Sequence, residues 1–298
     1  MPPNVRIALR AAVAAATVLL ALAASAAEGL RPGTPEELRG RYLALRPQLE
    51  RSALGGPIYI ESSEASRSGQ GDVYAVLAAP IGPVIAALGD PSHWCDVLML
   101  HLNNKACRIQ GAGAATQLEL RIGRTYNQPV ADAPRVLFAW HALPPAADFL
   151  SVHLDAATGP FDTHDYRILL EAVPLEGERS FLHLGYSFQY GGAGRLALQF
   201  YLASAGRSKV GFSTLAERPG AEPVPIGGVR GIVERNVMRY YLAIDAYLGA
   251  VSAPPTAQQD KRLQAWFDGT ERYPRQLREL DRAAYLGMKR NELRRQPQ

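Results

Sequence analysis

Apolar and polar residues alternate with a period of two through most of residues 105–190. In runs such as 118–122 and 150–154, apolar side chains fall on one face and polar or charged ones on the other. Clusters of glycine, proline, asparagine and aspartate separate the runs, as short turns between strands require. The pattern predicts a series of antiparallel strands with one face on a core.

Two further apolar runs, 58–60 and 73–77, flank a segment at 66–72 that is rich in serine, glycine and glutamine. They indicate either a hairpin with its turn at 66–72 or one long strand with a bulge. Two short helices are then predicted, one at 80–88 that begins at Pro80 and one that begins at Asp90-Pro91.

The strongest helical pattern spans residues 229–251 and is ended by Pro254 and Pro255. Its apolar positions recur every three or four residues. They form a single stripe, which consists of Val233, Val237, Tyr240, Tyr241, Ile244, Leu248 and Val251. The shorter run at 195–203, by contrast, fits a strand and a helix equally well.

Helices are also predicted near both ends of the chain. Thr34, Pro35 and Glu37 have the types and spacing of a capping box with proline in the first turn, so a helix should begin there. Pro47 should kink or shorten this helix. The charged tail at 257–296 has apolar positions at helical spacing, with one break at Pro274.

The first 27 residues have the pattern of a cleaved secretory signal. Arg6 and Arg10 precede an uncharged Ala/Val/Leu run, and small residues at 24–27 follow it. The run of about 13 residues is shorter than the roughly 20 that a bilayer span needs. We therefore expect a signal peptide at 1–26 and a periplasmic or secreted mature protein, with a retained N-terminal anchor as the alternative.

Composition limits the function classes. The net charge of +4 falls to +2 when the two arginines of the signal, Arg6 and Arg10, are removed. This balance argues against a nucleic-acid partner. The glycine-rich run at 191–194 lacks the ending of a phosphate-binding loop, and no G-x-S-x-G motif is present, so we expect no cofactor and no nucleophilic serine.

Cys95 and Cys107 are the two cysteines of the chain. In the oxidising compartment expected for an exported protein, we predict that they form a disulfide, the alternative being two buried free thiols. None of the six histidines has the spacing of a zinc site, so no metal is expected.

The order of predicted elements is a strand, two short helices, an antiparallel series of strands and one long amphipathic helix. Three segments add to this order: Pro80-Ile81-Gly82-Pro83-Val84 after the strand at 73–77, the segment at 90–94, and Val210-Gly211-Phe212-Ser213 before the last helix. With these segments, the order resembles the helix-grip fold of the START-like, polyketide cyclase-like superfamily. The resemblance covers about residues 57–251. It is architectural, since no diagnostic catalytic motif defines the superfamily.

The resemblance implies an α+β fold in which a curved antiparallel sheet wraps around a long C-terminal helix, with extra helices at both ends. Members of the superfamily usually hold an apolar or amphipathic guest between sheet and helix, where one helix cannot fill the concave face. The chain would then divide into a signal peptide at 1–26, a helical lead at 27–56, the helix-grip domain at 57–251 and a helical tail at 252–298.

Aromatic residues on the strands and on the long helix are the candidate ligand contacts, together with an arginine for an anionic head group. This set is Trp140, Tyr186, Tyr190, Arg239, Tyr240 and Tyr241. Arg230 is a second candidate for the head group, and ordinary core packing is the alternative role for the aromatic residues.

His141, His153 and His183 lie on the polar face of predicted strands. If that face lined the cavity, they could join Glu119, Arg121 and Arg167 in acid–base chemistry or head-group contacts. If it were the outer face, all six would be ordinary solvated residues.

Three functions are compatible with the sequence, because a fold alone does not fix function. The first is an exported binding protein for a hydrophobic or amphipathic ligand, of the lipid or fatty-acid type, held between the sheet and the long helix. The second is an enzyme of the cyclase or dehydratase type that uses the same cavity. The third is an interaction protein that contacts an envelope protein or a membrane surface through its C-terminal tail.

Overall fold

The computed structural model describes residues 30–143, 147–160, 162–204, 206–215 and 223–296. All elements below belong to the compact unit Pro32–Gln298, whereas only residues 30 and 31 of the other unit, Met1–Arg31, are described. The expected signal peptide at 1–26 therefore lies outside the described residues.

Eight antiparallel strands form one open sheet. In chain order they are β1 Ile58–Ala65, β2 Ser68–Leu77, β3 Asn104–Gln110, β4 Gln117–Ile122, β5 Arg135–Ala142, β6 Leu150–Thr158, β7 Thr163–Leu175 and β8 Arg179–Tyr190. Their order across the sheet is β1-β2-β8-β7-β6-β5-β4-β3. The last strand of the meander thus pairs with the initial hairpin, and β1 and β3 form the two edges.

The helices follow the predicted pattern closely. They are α1 Pro35–Glu50, α2 Ile81–Leu88, α3 Trp94–Leu98, α4 Gly192–Ala203, α5 Gly228–Leu248, α6 Pro255–Glu271, α7 Pro274–Leu277 and α8 Arg282–Arg294. The predicted capping box of Thr34 and Glu37 is present. The ambiguous run at 195–203 is helical, and α1 continues past Pro47 to Glu50.

The long helix α5 packs across one face of the sheet, which we call the inner face. Val233 and Val237 are fully buried there, in one core with the alternating apolar residues of the strands. The tail belongs to the same core, because Trp266 of α6 donates to the carbonyl of Arg239 at 3.0 Å and its ring stacks 4.8 Å from Tyr285 of α8.

Of the two alternatives for this segment, the hairpin is confirmed, but its turn occupies only residues 66–67 and the turn bounds predicted at 66–72 are wrong. Ser68 already pairs with Ala65, and β2 continues through Gly69 and Gly71. A Cβ atom at Gly71 would lie 2.9 Å from the backbone of Val233. Glycine stands in this strand because the backbone of α5 approaches it closely, and not because the chain turns there.

The opposite, outer face of the sheet is covered in part by α1. Leu38, Leu45 and Leu49 of this helix are buried against Val173 and Phe181 in a second apolar cluster. Side chains that point outward from β7 and β8 beneath α1 are therefore shielded from solvent.

The predicted disulfide between Cys95 and Cys107 is confirmed. It joins α3 to the edge strand β3, whose neighbour in the sheet is β4. The covalent link therefore fixes the short helices that follow β2 to the far edge of the sheet.

Candidate functional site

One stripe of α5 keeps accessible surface although it faces the inner side of the sheet. Ile232, Asn236 and Tyr240, spaced four residues apart, are half-buried, while most other residues of α5 are buried. The ring of Tyr240 lies 5.9 Å from that of Tyr186 on β8, which fixes the direction in which the stripe points. The stripe therefore keeps some accessible surface beside the aromatic residues of the sheet, and we call this region between α5 and the sheet the grip interior.

Aromatic rings from three strands form the sheet side of the grip interior. Tyr166 on β7 is half-buried, and its ring lies 5.7 Å from Phe188, 6.3 Å from Tyr186 and 6.4 Å from Phe138. Such rings present large apolar surfaces in fixed positions, and the hydroxyl groups of the tyrosines can accept or donate hydrogen bonds.

The phenols in the grip interior remain protonated at neutral pH. Burial raises the pKa of Tyr240 to about 12, and burial raises the pKa of Tyr186 well above its ordinary value. A hydrogen bond with Asn236 acts in the opposite direction on Tyr186 without reversing the shift. These hydroxyl groups can therefore donate hydrogen bonds to an uncharged guest.

His101 stacks on Tyr240 at a ring distance of 5.1 Å. Burial lowers its pKa well below the ordinary value, the charges of Arg239 and Lys289 lower it further, and Asn236 acts in the opposite direction. The imidazole is thus neutral. Because Nδ1 accepts from the backbone amide of Asn103 at 3.2 Å, the proton lies on Nε2.

The structure brings together two of the six predicted ligand contacts, Tyr186 and Tyr240, in the grip interior. Tyr190 extends the same aromatic row, with its ring 6.0 Å from Phe188. Trp140 instead packs edge-on against Trp94 at 5.3 Å.

The other two predicted contacts point away from the grip interior. Arg239 reaches the C-terminal tail, where it donates to Glu279 at 2.9 Å and to the carbonyl of Leu277 at 3.3 Å. Tyr241 lies on the other side of α5, in a cleft that Pro57 and Ile58 also line. A cation for an anionic head group, predicted at Arg239, is therefore directed elsewhere, and Arg230 donates to Ser62 at 3.0 Å.

Tyr166 and His101 belong to this site although neither is among the predicted ligand contacts. Tyr166 alternates with the buried Ile168, so the period of two would have placed it on the inner face. No local pattern marks His101, which lies in the connection between α3 and β3 and meets the site through its stacking on Tyr240, a residue distant in the chain.

The polar strand residues lie on the outer face. His141 and His153 stack at 5.6 Å and are at least partly accessible, with Asp155 bound to His141. Glu119 is buried, but its carboxylate faces Arg108 and Arg135. These side chains are thus separated by the sheet from the grip interior.

His183 is also on the outer face, yet it is not the solvated residue that such a position predicts. It is buried beneath α1, and its ring nitrogens contact Asp72 at 2.9 Å and Glu171 at 3.2 Å. Burial alone would lower the pKa of His183, but the two carboxylates outweigh this effect and raise the pKa to about 9.

Neither a metal cluster nor a membrane span appears in the described residues. No group of three or more His, Cys, Asp or Glu side chains there is arranged to hold a metal ion. None of the helices in that part of the chain combines the length and apolarity that crossing a bilayer requires.

Comparison with known proteins gives neighbours among solved structures. No protein-family model and no curated protein matches the chain. The Zhui aromatase/cyclase from Streptomyces sp. R1128 is 16% identical over 64% of this chain and 93% of its own, with a TM-score of 0.37. A norcoclaurine synthase from Thalictrum flavum is 11% identical over 48% and 82%, with a TM-score of 0.32.

A conserved protein from Geobacillus kaustophilus is 15% identical over 46% of this chain and 85% of its own, with a TM-score of 0.32. The architecture itself is decided by the antiparallel strand order and by the long helix that crosses the inner face. The fold is a helix grip, an antiparallel sheet crossed by one long helix. The α+β prediction made from the order of elements is thereby confirmed.

Proposed function

We propose that this protein binds an uncharged hydrophobic or amphipathic small molecule, such as a neutral lipid or an aromatic compound, in the grip interior. The observation that carries the proposal is the accessible stripe of Ile232, Asn236 and Tyr240 opposite the aromatic wall of the sheet. In a closely packed core such residues would be fully buried. Apolar walls with a few fixed polar groups are the usual composition of a ligand site.

The polar groups of the site favour an uncharged guest over a fatty acid. Asn236, Tyr186, Tyr240 and His101 are all neutral at pH 7. A buried carboxylate needs a cation or several strong donors, and Arg239 is already paired with Glu279. A hydroxyl or carbonyl group on the guest would be satisfied by the phenols and the amide.

We also propose that the protein works outside the cytoplasm. The pattern of residues 1–27 supports export, and the disulfide between Cys95 and Cys107 is of the kind that persists in oxidising compartments. The guest would then be a compound of the cell envelope or of the medium.

A second candidate function is an enzyme that uses the same site for a cyclisation or dehydration. Its support is the neutral His101 imidazole, which carries its proton on Nε2, interacts with Asn236 and stacks on Tyr240. Together with the phenol, this donor could stabilise negative charge that develops on a carbonyl oxygen of the guest.

Native mass spectrometry of the protein purified from the periplasm, followed by organic extraction, tests the first function. We expect a mass excess that is lost on denaturation and an extract that contains a neutral hydrophobic compound. A protein without mass excess that also takes up no neutral lipid or aromatic compound would contradict the proposal. Chemical conversion of the added compound, abolished in His101→Phe while binding persists, would support the enzyme.

A further inference from the structure

A cavity of about 330 Å³ lies at the β3 edge of the sheet, away from the aromatic wall of the grip interior. It is bounded by β3, β4, the end of α8 and the segment around Val130. Four cationic side chains line it, those of Lys105, Arg108, Arg121 and Arg295. We call it the β3 cleft.

The two carboxylates that line the β3 cleft are already engaged by cations. Glu119 accepts from Arg108 at 2.9 Å and from Arg135 at 2.6 Å. Glu292 lies between Lys105 and Lys289, at 2.9 and 2.7 Å. Each carboxylate thus faces two cations, and the cleft carries an excess of positive charge before any other group is counted.

This excess is built into the fold and is not confined to mobile surface side chains. Lys105 and Lys289 are both fully buried, and Lys105 is held by Glu292 and by the carbonyl of Leu102 at 3.2 Å. Burial lowers the pKa of Lys289 to about 8, Glu292 opposes this shift, and the charge of Lys105 adds to it. Two buried ammonium groups that share one carboxylate make the base of the cleft electropositive.

Two guanidinium groups at the cleft have no carboxylate partner among the described residues. Arg121 makes one hydrogen bond there, to the carbonyl of Ala133 at 3.3 Å. Arg295, at the C-terminal end of α8, is exposed and forms no ion pair in that part of the chain. Guanidinium groups recognise phosphate and carboxylate oxygens through paired hydrogen bonds.

We propose that the β3 cleft is an anion-binding site for a small phosphate-type oxyanion that carries two or more negative charges. Arg121 and Arg295 would donate to its oxygens, while Lys105 supplies a fixed positive charge at the base. The chemistry favours phosphate over an uncharged ligand because the lining has more cations than carboxylates. The site is independent of the hydrophobic guest proposed for the grip interior.

Calorimetric titration of the full chain with inorganic pyrophosphate, at constant ionic strength, tests this site. We expect saturable binding at one site, weakened about tenfold or more in Arg121→Gln and in Arg295→Gln, since each removes charge-assisted hydrogen bonds. The matched control is Arg275→Gln, an exposed arginine on α7 outside the cleft, which should change the affinity less than about twofold.

Three results would overturn the proposal. The first is the absence of saturable binding to the wild-type chain. The second is an equal loss in Arg275→Gln, which would indicate general charge attraction. The third is binding of citrate but not of pyrophosphate, which would replace phosphate by a polycarboxylate. Equal unfolding midpoints of all variants would show that the arginine substitutions leave the fold intact.

Discussion

The rings of Tyr186 on β8 and Tyr240 on α5 lie 5.9 Å apart and join the sheet to the long helix. Both phenols are held protonated by burial, and His101 stacks on the helix side of the pair. The pair therefore combines apolar surface with neutral donors at the centre of the fold. The proposed preference for an uncharged guest with one polar group rests on this arrangement.

The phenol of Tyr240 should distinguish a hydroxylated guest from its parent hydrocarbon. In Tyr240→Phe we expect the affinity for 1-naphthol to fall about two- to tenfold, since one neutral hydrogen bond is lost, while the affinity for naphthalene stays unchanged. Competition against a fluorescent hydrophobic probe measures both affinities.

Tyr241→Phe is the matched control, because Tyr241 lies next in sequence but on the other side of α5, near Ile58. It should leave both affinities unchanged. Equal losses in the two variants, or an equal loss for the two compounds, would show that the Tyr240 hydroxyl does not contact the guest.

Gly71 should be essential for the close packing of α5 on β2. In Gly71→Ala the new Cβ meets the backbone of Val233 at 2.9 Å, and neither a strand nor a buried helix can yield easily. We expect the free energy of unfolding to fall by about 1–3 kcal/mol, as overpacking usually costs. Urea unfolding measures it.

Gly82→Ala is the control for this substitution, since a Cβ at Gly82 in α2 meets no atom within 4 Å. This change should be neutral or slightly stabilising, because alanine has the higher helix propensity. A Gly71→Ala protein as stable as the wild type would mean that the helix is not held as closely as the structure shows.

His183 should make the free energy of unfolding depend on pH in the neutral to alkaline range. In the unfolded chain its pKa has the ordinary value near 6.5, and in the folded protein Asp72 and Glu171 raise it to about 9. Folding therefore favours the protonated form. The stabilising contribution, on the order of 3 kcal/mol, is fully present below about pH 6.5 and is lost as the pH rises through 9.

The contribution is measured as a difference between wild type and His183→Gln, so that other groups titrating in the same range cancel. The side chains that face His183 itself are those of Asp72, Glu171 and Tyr74, whose ring stacks 4.6 Å away. We expect the difference in the free energy of unfolding to be large at pH 6 and to shrink toward pH 10. A difference that is constant with pH would contradict the charged state assigned to His183.

The disulfide should contribute substantially to stability. Cys95 and Cys107 are separated by 12 residues, and closing a loop of this size stabilises by about 3 kcal/mol in the chain-entropy model. We expect the double variant Cys95→Ser, Cys107→Ser and the reduced wild type to lose similar amounts in urea unfolding. If neither loses stability, the link plays no part in holding α3 to β3.

The sequence predicts those features that depend on local order. Alternation identifies the strands, the apolar stripe around Val233 and Val237 identifies α5, and the residue types at Thr34 and Glu37 identify the start of α1. Even the strand–helix ambiguity at 195–203 follows from the pattern, because a short run fits both periods.

What the sequence did not predict depends on contacts between distant segments. His183 is buried because α1 covers the outer face, far away in the chain. Arg239 is unavailable to a guest because it forms an ion pair with Glu279, 40 residues further along the chain. No spacing rule connects such pairs, so the polarity of the site could be known only once the fold was known.

The most direct test of the account is a titration with the neutral fluorescent probe N-phenyl-1-naphthylamine in wild type and in Asn236→Trp. The added indole would occupy the accessible stripe of α5 between sheet and helix. We predict saturable binding to the wild type and at least a tenfold loss in Asn236→Trp, while Val251→Trp, at an exposed position just beyond α5, binds like the wild type. Equal binding to all three folded proteins would contradict a guest site in the grip interior.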